Sequence, residues 1–535
     1  MLYVIPTNLR TNKFPDMQNN ASAVNKKANL IGALTGLSRI LGLVREMLTS
    51  RLIGAGLAQS AFVFAFQIPN LFRKLFGEGA LSSAFIPVFK SEIDSDRKKQ
   101  AEEMARALSS MVTFLLTLIC LLGLLGISVA IPFTEDGGRV NTVLRLTRIM
   151  LPYSVLICAT AFAGGMLNAL GKFGKTAFAP ALLNIIWIAT LCGIFFFPHL
   201  DLYQRVKIVA WSVLISGVLQ LMYLFFAVRR CGMSLTPTFS GWHTEYVKLV
   251  WGNTFIGAIG MGAEQINLLL DNLLAMWAAP WAPAAISYAE RIVYLPLGVV
   301  ATAFAAVLLP SFSSDFARGN EEHAAKTLTE TLEDLLLIMT PASIALIFLS
   351  PEITRIIYEG GKFDSTDTTR ISRALACYAP GLLAFSIYKI LTPWFYAKKD
   401  VKTPLRIGLW MVGTNAILNI ILVLTLPVEW KHAGLAGSTV VCSVASCIIL
   451  ALKIRAGSRQ VNFNLLINPA VKYLFASLLM CASLWFAKHF IGELVGKQGW
   501  QSIATFILAV LVGLSVYTLA VWRLSPKTFR RVLGF

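Results

Sequence analysis

Long apolar stretches separated by short polar segments make up almost the whole chain. A helix of about 20 residues crosses the roughly 30 Å hydrocarbon core of a bilayer, and stretches of that length recur from residue 28 onward. Residues 1–27 are polar and lack the short apolar core of a signal peptide, so we expect a cytoplasmic tail there. The pattern predicts fourteen membrane-spanning helices, near residues 28–55, 58–89, 107–133, 143–170, 177–197, 207–230, 247–278, 284–314, 326–350, 371–396, 405–427, 432–453, 470–488 and 500–522.

The composition also indicates a membrane protein, because hydrophobic residues make up 56% of the 535 residues and charged residues only 14%. A soluble protein carries about 25% charged residues. The eight cysteines lie within or at the ends of apolar stretches and form no C-x-x-C pair, so we expect neither a disulfide framework nor a metal site. The predicted fold class is an all-α polytopic membrane protein.

Positive charge is distributed unevenly over the loops of this chain, whose formal net charge is +19. Basic residues accumulate on alternate loops, whereas "GAGLAQS" and "APWAPAA", on the opposite side, carry no charge. Lys and Arg favour the cytoplasmic side of membrane proteins, so both termini are predicted to be cytoplasmic, as an even number of spans also requires. Because the charge belongs to these loops, we expect no nucleic-acid partner.

An internal repeat divides the chain. Pro69 in "QIPNL" and Pro296 in "YLPLG" are 227 residues apart, and the K-x-x-K-T motifs that begin at Lys172 and Lys399 have the same offset. An Asn-Ile-Ile sequence follows each motif on the next helix, at Asn184 and Asn419. The repeat predicts two parallel six-helix lobes related by a pseudo-two-fold axis along the membrane normal, a transporter architecture, followed by two more helices. The predicted domains are a tail over 1–27, lobes over 28–232 and 233–453, and a C-terminal region over 454–535.

Charged residues inside the predicted spans concentrate in the first two helices of each lobe. Such residues face protein or water rather than lipid, so we expect them to line one hydrated cavity between the lobes. The residues of these four helices are Arg39, Arg45, Glu46, Arg51, Arg73, Lys74, Glu78, Glu264, Asp271, Glu290 and Arg291.

The arginines favour an anionic ligand. Guanidinium groups match phosphate oxygens in bidentate fashion, so Arg39, Arg45, Arg73 and Arg291 together favour a phosphate. The alternative is that the charges are internal ion pairs, such as Arg39 with Glu46, Lys74 with Glu78, and Glu290 with a neighbour. That alternative does not account for all four arginines.

Three segments carry a family resemblance: "SRILGLVREMLTSRLIGAG", "FQIPNLFRKLFGEGALSSAFIPVF" and "YAERIVYLPLGVV". From about residue 28 to the C-terminus the chain resembles the MurJ (MviN) family of lipid II flippases, within the multidrug/oligosaccharidyl-lipid/polysaccharide exporter superfamily. The resemblance implies a transporter and not an enzyme, in the bacterial inner membrane. It implies movement of undecaprenyl-diphosphate-linked peptidoglycan precursor to the outer leaflet by alternating access.

The resemblance also implies roles for individual residues. The substrate-binding residues would be Ser38 and the four arginines, and the supporting or gating charges would be Glu46, Lys74, Glu78, Glu264, Asp271 and Glu290. Ser60 and Tyr294 stand where some members have acidic residues, which weakens any ion-coupling scheme based on those carboxylates.

No cofactor is expected. The chain has no G-x-x-x-x-G-K-[ST] nucleotide motif, so membrane potential is the expected driving force, with or without a coupled cation. Some relatives use Na⁺, for which Asn253, Asn415 and Asn419 offer oxygen ligands, although interhelical hydrogen bonds are the expected role of these amides. The expected partners are lipid II, membrane lipids and cell-wall synthesis proteins, and the expected state is a monomer.

Three other functions compete with this one. A flippase for another lipid-linked oligosaccharide or polysaccharide would share the diphosphate, so the arginines do not exclude it. A drug exporter for cations would favour carboxylates in the cavity. A membrane glycosyltransferase could use the D-x-D of Asp94 and Asp96, but the basic and acidic residues that follow are typical of a solvated loop.

Overall fold

The fold was analysed in a computed structural model that describes the backbone of residues 17–495 and 500–533. Within these ranges, side chains are described except those of residues 17–33, 35, 77–83, 253, 255–261, 263–264, 492–495, 500 and 533. The described chain is helical, without strands. The helices are α1 (Met17–Ile53), α2 (Leu57–Phe72), α3 (Ala80–Asp94), α4 (Lys98–Ala130), α5 (Arg139–Met150), α6 (Tyr153–Ala169), α7 (Phe173–Phe195), α8 (Leu202–Arg229), α9 (Glu245–Ala278), α10 (Ala282–Pro296), α11 (Thr302–Ala317), α12 (Glu321–Phe348), α13 (Ser350–Tyr358), α14 (Ser365–Tyr378), α15 (Gly381–Ala397), α16 (Lys402–Thr425), α17 (Val428–Gly457), α18 (Ile467–Val495), α19 (Trp500–Leu524) and α20 (Pro526–Leu533).

The described residues contain nine helical segments that are long and apolar enough to cross a membrane. Two bent pairs, α5 with α6 and α14 with α15, raise the number to eleven if each pair is one span. The other three predicted spans fall on α1, α2–α3 and α9, which carry intramembrane charges and lie partly outside the described side chains. The all-α membrane fold is confirmed, and the count of fourteen stays a prediction.

The landmarks of the internal repeat have the same local structure in both halves. Pro152 lies at the 41° bend between α5 and α6, and Pro380 lies at the 40° bend between α14 and α15. Pro69 precedes a π-helical segment, Arg73–Gly79, and Pro296 immediately precedes a second one, Leu297–Ala301. Proline removes a backbone donor and crowds the preceding turn, so a bend or a widened turn near it is expected.

Two large apolar cores follow the same division of the chain. One is built by residues between 53 and 250, and the other by residues between 275 and 461, joined by Ala55. We call helices α1–α8 the N-terminal bundle and α9–α17 the C-terminal bundle. A third, smaller core joins α18 and α19 to α12. The exact domain bounds stay a prediction.

Arg205 of α8 contacts three backbone carbonyls in two segments of the N-terminal bundle. Its guanidinium is buried and donates to the carbonyls of Leu200 at 3.0 Å, Leu52 at 2.9 Å and Pro198 at 3.1 Å. Leu52 lies in the last turn of α1, where carbonyls have no partner within the helix and a cation is favourable. Arg205 thereby holds the end of α1 against α8.

We expect Arg205→Met to destabilise the protein, because it leaves three carbonyls without this donor at a cost of about 3 kcal/mol or more. The measurement is the apparent Tm in detergent, which should fall by several degrees. Lys207→Met is the matched control, because Lys207 lies exposed on the same helix. Equal Tm values for the two variants would show that the carbonyl contacts add no stability.

Candidate functional site

Two arginines converge on one carboxylate where α1 meets α10. Glu46 Oε1 lies 2.5 Å from Arg45 Nη2 and 3.5 Å from Arg291 Nη2. Arg45 and Glu46 are buried, whereas the side chain of Arg291 is half exposed. The three groups carry a net charge of +1, which an added anion would neutralise. Arg291 belongs to the C-terminal bundle, so this cluster joins the two bundles.

Helix α7 contributes two residues to the same cluster. Arg45 Nη1 donates to Asn184 Oδ1 at 3.0 Å, and the Arg45 guanidinium lies 4.4 Å from the centre of the Trp187 ring. Asn184 Nδ2 also donates to the backbone carbonyl of Ser38 at 3.0 Å. Neither Asn184 nor Trp187 was predicted as a site residue. The only signal was that Asn184 begins the repeated Asn-Ile-Ile sequence.

Arg39 makes a different contact between the bundles. Its Nη2 donates to the carbonyl of Gly298 at 3.0 Å, within the second π-helical segment, and its side chain is exposed. The Arg39–Glu46 pair considered as an alternative is therefore not the arrangement found, since Glu46 contacts Arg45 and Arg291 instead. Ser38 contributes its carbonyl to Asn184, with its Oγ 3.5 Å from the same amide.

The residues predicted in the second span lie beside this cluster. Arg73 opens the first π-helical segment, and its Nε donates to Asn70 Oδ1 at 3.3 Å. Glu78 and Glu264 lie outside the described side chains, so the proposed Lys74–Glu78 pair stays a prediction.

The remaining predicted acids lie in the C-terminal bundle. Glu290 Oε1 accepts a hydrogen bond from the Tyr378 hydroxyl at 3.2 Å, which is not the ion pair with a neighbour considered as an alternative. Asp271 forms a separate polar cluster, in which it accepts from Asn419 at 2.6 Å and from Asn267 at 3.1 Å. The structure therefore does not place Asp271 in a direct contact with the arginines.

The amides proposed as weak Na⁺ ligands make interhelical hydrogen bonds. Asn419 contacts Asp271 of α9 and accepts from the Ser438 hydroxyl of α17, and Asn415 lies 3.2 Å from that hydroxyl. Asn253 lies outside the described side chains. Among the described residues, no group of three or more His, Cys, Asp or Glu is arranged to hold a metal ion.

Hydrogen bonds join the two bundles tightly around the end of α1. Residues 50–60 contact residues 284–288 and 358–367, and we call this set of contacts the seam. Its hydrogen bonds are Ser50 Oγ to the Tyr358 carbonyl, Lys362 N to the Arg51 carbonyl, Ala55 N to Asp367 Oδ2, Tyr288 Oη to the Gly54 carbonyl, and Ala284 N to Ser60 Oγ. Ser60, which stands where some family members have an acidic residue, therefore accepts a hydrogen bond from Ala284 N at the start of α10.

The D-x-D sequence lies in a solvated loop, as predicted. Asp94 pairs with Lys90 at 2.6 Å, and Asp96 is exposed with a positive φ of 59°. Just before this loop, in the last turn of α3, the hydrogen bond from Arg97 holds the pKa of Glu92 below its ordinary value. These local ion pairs do not form a carboxylate pair facing a substrate, so they give no support to a glycosyltransferase.

Comparisons with known proteins agree with this architecture. The model of the family "Lipid II flippase MurJ" matches residues 49–504. The chain belongs to this family. It is 34% identical over 502 residues to the probable lipid II flippase MurJ of Rhizobium tropici, covering 92% of each chain. It is 31% identical over 516 residues to the lipid II flippase MurJ of Burkholderia cenocepacia, covering 94% of this chain and 98% of that one.

Solved structures show the same fold. A structure described as lipid II flippase MurJ in an inward closed conformation has a TM-score of 0.75 at 23% identity, covering 95% of this chain and all of that one. An inward-facing multidrug resistance MATE transporter of the MOP superfamily has a TM-score of 0.61 at 14% identity, covering 80% of this chain and 98% of that one. Membership of the MurJ family confirms the resemblance seen in the sequence, and the MATE transporter shares the fold.

Proposed function

We propose that this protein moves lipid II, an undecaprenyl-diphosphate-linked disaccharide-peptide, from the inner to the outer leaflet of the bacterial cytoplasmic membrane. The observation that carries the proposal is the cluster of Arg45, Glu46 and Arg291 between the two bundles of a MurJ-family chain. The carboxylate of Glu46 occupies the position in which a diphosphate would contact the guanidiniums of both Arg45 and Arg291. Charge-assisted, bidentate hydrogen bonds of this kind are strong and favour phosphate groups.

The cargo enters a cavity open to the cytoplasm, and its diphosphate competes with Glu46 for the two guanidiniums. Arg39 and Arg73 supply further positive charge as the headgroup passes. Opening of the seam, with closure of the cytoplasmic side, then exposes the headgroup to the periplasm. The polyprenyl tail stays in the lipid. In this proposal both termini are cytoplasmic, which places the seam on the periplasmic side.

The energy for this cycle comes from the membrane potential. One elementary charge that crosses 100 mV is worth about 2.3 kcal/mol, and outward movement of an anion is favoured by an inside-negative potential. Return of the empty, cationic site toward the cytoplasm is favoured by the same potential. No chemical step on the cargo and no nucleotide cofactor is required, and a cation could be coupled through the Asp271 cluster.

The test is growth rescue of a strain depleted of its own lipid II flippase, with membrane levels checked by immunoblot. We expect the wild-type chain to restore growth and lysis resistance. A second arm compares transport of lipid II with that of a polyprenyl-diphosphate-linked O-antigen unit in proteoliposomes. Transport of the O-antigen unit alone, without growth rescue, would assign the chain to another lipid-linked cargo. Transport of neither would overturn the proposal.

A further inference from the structure

Helix α7 presents a polar face to α1, and the residues of this face have no role in the transport cycle described above. Asn184 and Trp187 are three residues apart and therefore lie on one face of α7. Both are buried, with exposed fractions of 6% and 3%. A buried amide and a buried indole inside a membrane bundle are costly unless they contact polar groups. Here the amide oxygen of Asn184 and the ring face of Trp187 contact Arg45, whereas the indole Nε1 of Trp187 is buried without a hydrogen-bond partner among the described residues.

The two residues hold the Arg45 guanidinium in two directions. Asn184 Oδ1 accepts from Nη1 at 3.0 Å along the edge of the group, and the Trp187 ring lies 4.4 Å from its centre. A desolvated cation above a Trp ring is a favourable arrangement. Arg45 Nε is buried without an acceptor among the described residues, which leaves one N–H for an incoming oxygen.

Asn184 also connects Arg45 to an earlier part of α1. Its Nδ2 donates to the Ser38 carbonyl at 3.0 Å. Ser38 and Arg45 are seven residues apart, which is two turns and about 10 Å along the same helix face. Gly42 lies between them, and a Cβ there would stand 3.8 Å from Asn184 Nδ2, so the amide approaches α1 closely at this point. One side chain of α7 therefore fixes two turns of α1.

The C-terminal bundle contains the equivalent contact with the opposite charge. Asn419, which begins the second Asn-Ile-Ile sequence, donates from α16 to Asp271 of α9 at 2.6 Å. In the repeat, α16 corresponds to α7 and α9 corresponds to α1. The two amides lie 235 residues apart rather than the 227 of the repeat, but each contacts a charged residue of the first helix of its bundle, presenting its oxygen to an arginine in one case and its nitrogen to an aspartate in the other.

We propose that Asn184 and Trp187 are positioning residues that hold the Arg45 guanidinium in the orientation in which it binds the cargo diphosphate. This inference rests on the proposed function. Because both residues belong to the same bundle as Arg45, they keep the arginine in place when the contact between Glu46 and Arg291 of the other bundle breaks. The diphosphate therefore keeps its contact with Arg45 while the two bundles move relative to each other.

The first test measures binding of a short-chain polyprenyl diphosphate to the full-length protein in nanodiscs. We expect Asn184→Leu and Trp187→Leu each to weaken binding about tenfold, because the guanidinium loses one of its two supports. Trp187→Phe should retain binding within about threefold, because a phenyl ring still offers an aromatic face to the cation. Asn168→Leu and Trp410→Leu are matched controls away from the site and should bind as the wild type does.

A second variant distinguishes positioning from simple support of the fold. Asn184→Asp keeps the acceptor for Arg45 but adds a second carboxylate that competes with the diphosphate. We expect it to weaken diphosphate binding more than Asn184→Leu does, while the apparent Tm stays at or above that of Asn184→Leu. If Asn184 only supported the fold, the diphosphate affinities of its variants would fall in the same order as their apparent Tm values.

The outcomes separate this inference from the transport proposal. Wild-type protein that does not bind the polyprenyl diphosphate would contradict the proposed function itself. Wild-type binding with equal binding by Asn184→Leu and Trp187→Leu would overturn only the positioning role. Equal losses of diphosphate binding in Asn184→Asp and Asn184→Leu, together with correspondingly lower Tm values, would also overturn the positioning role.

Discussion

Arg45→Ala is expected to abolish growth rescue in the flippase-depleted strain. The substitution removes one of the two guanidiniums that contact Glu46 and reduces the net charge of the cluster with Arg291 from +1 to zero. It also leaves the buried Glu46 with a single cation, Arg291, at 3.5 Å. We expect a diphosphate-lipid affinity at least tenfold lower, at a membrane level close to that of the wild type.

Two further variants define the reason for this loss. Arg45→Lys keeps the charge but not the planar fork, so we expect partial rescue and weaker diphosphate binding. Glu46→Gln removes the internal competitor, so diphosphate binding should strengthen while transport slows because release is harder. Full rescue by well-expressed Arg45→Ala would show that the arginine is structural and that the diphosphate binds elsewhere.

Gly361→Ala is expected to open the seam. Gly361 has a φ of 60°, and a Cβ at this position would stand 2.2 Å from the Arg51 carbonyl oxygen, so the loop has to move. The movement breaks the hydrogen bond from Lys362 N to the Arg51 carbonyl, which is 2.8 Å long. A loss of about 2 kcal/mol shifts the balance between the closed and open seam about thirtyfold.

The opening is measured by the rate at which an impermeant maleimide labels Ser60→Cys, in protein whose eight native cysteines have been replaced. Ser60 is fully buried in the seam, so labelling reports opening directly. We expect labelling at least tenfold faster with Gly361→Ala. Gly137→Ala is the control, because Gly137 also has a positive φ, of 73°, but no atom within 4 Å of a Cβ. Unchanged labelling with Gly361→Ala, or equal acceleration by the control, would contradict the role of this loop in the seam.

The sequence was sufficient to predict the fold and the main charges of the site. Arg45, Glu46 and Arg291 were identified because charges in apolar helices have to face protein or water, and the repeat placed their helices together. The sequence was less informative about which of these charges pair with each other. By helical phase, Arg39 and Glu46 lie two turns apart on one face of α1, which favours the pair considered as an alternative, yet Glu46 pairs with its neighbour Arg45 and with Arg291. Phase fixes the direction of the Cβ atom, whereas a long arginine side chain reaches groups well away from it.

Contacts between distant parts of the chain were not predictable in this way. Asn184 and Trp187 lie about 140 residues beyond Arg45, in a helix whose one charged residue, Lys175, lies near its start, and a lone amide in such a helix is usually an ordinary interhelical contact. The loop at 359–364 likewise gave no signal of its contact with the end of α1, because its glycines are equally typical of any turn. The first feature depends on how α7 packs on α1 within one bundle, and the second depends on how the two bundles pack; one sequence specifies neither.

The two π-helical segments have a consequence for the evolution of the chain length. Each turn of this kind corresponds to one residue inserted into an α-helix, and it rotates everything that follows by about 100°. Deletion of a single residue within 297–301 would let α10 continue regularly into α11 and turn the far half of that span to a new face. We therefore expect a one-residue alignment gap at 73–79 or 297–301 to mark a relative in which the residues after the gap face a different direction. Such a gap does not simply mark a shorter loop.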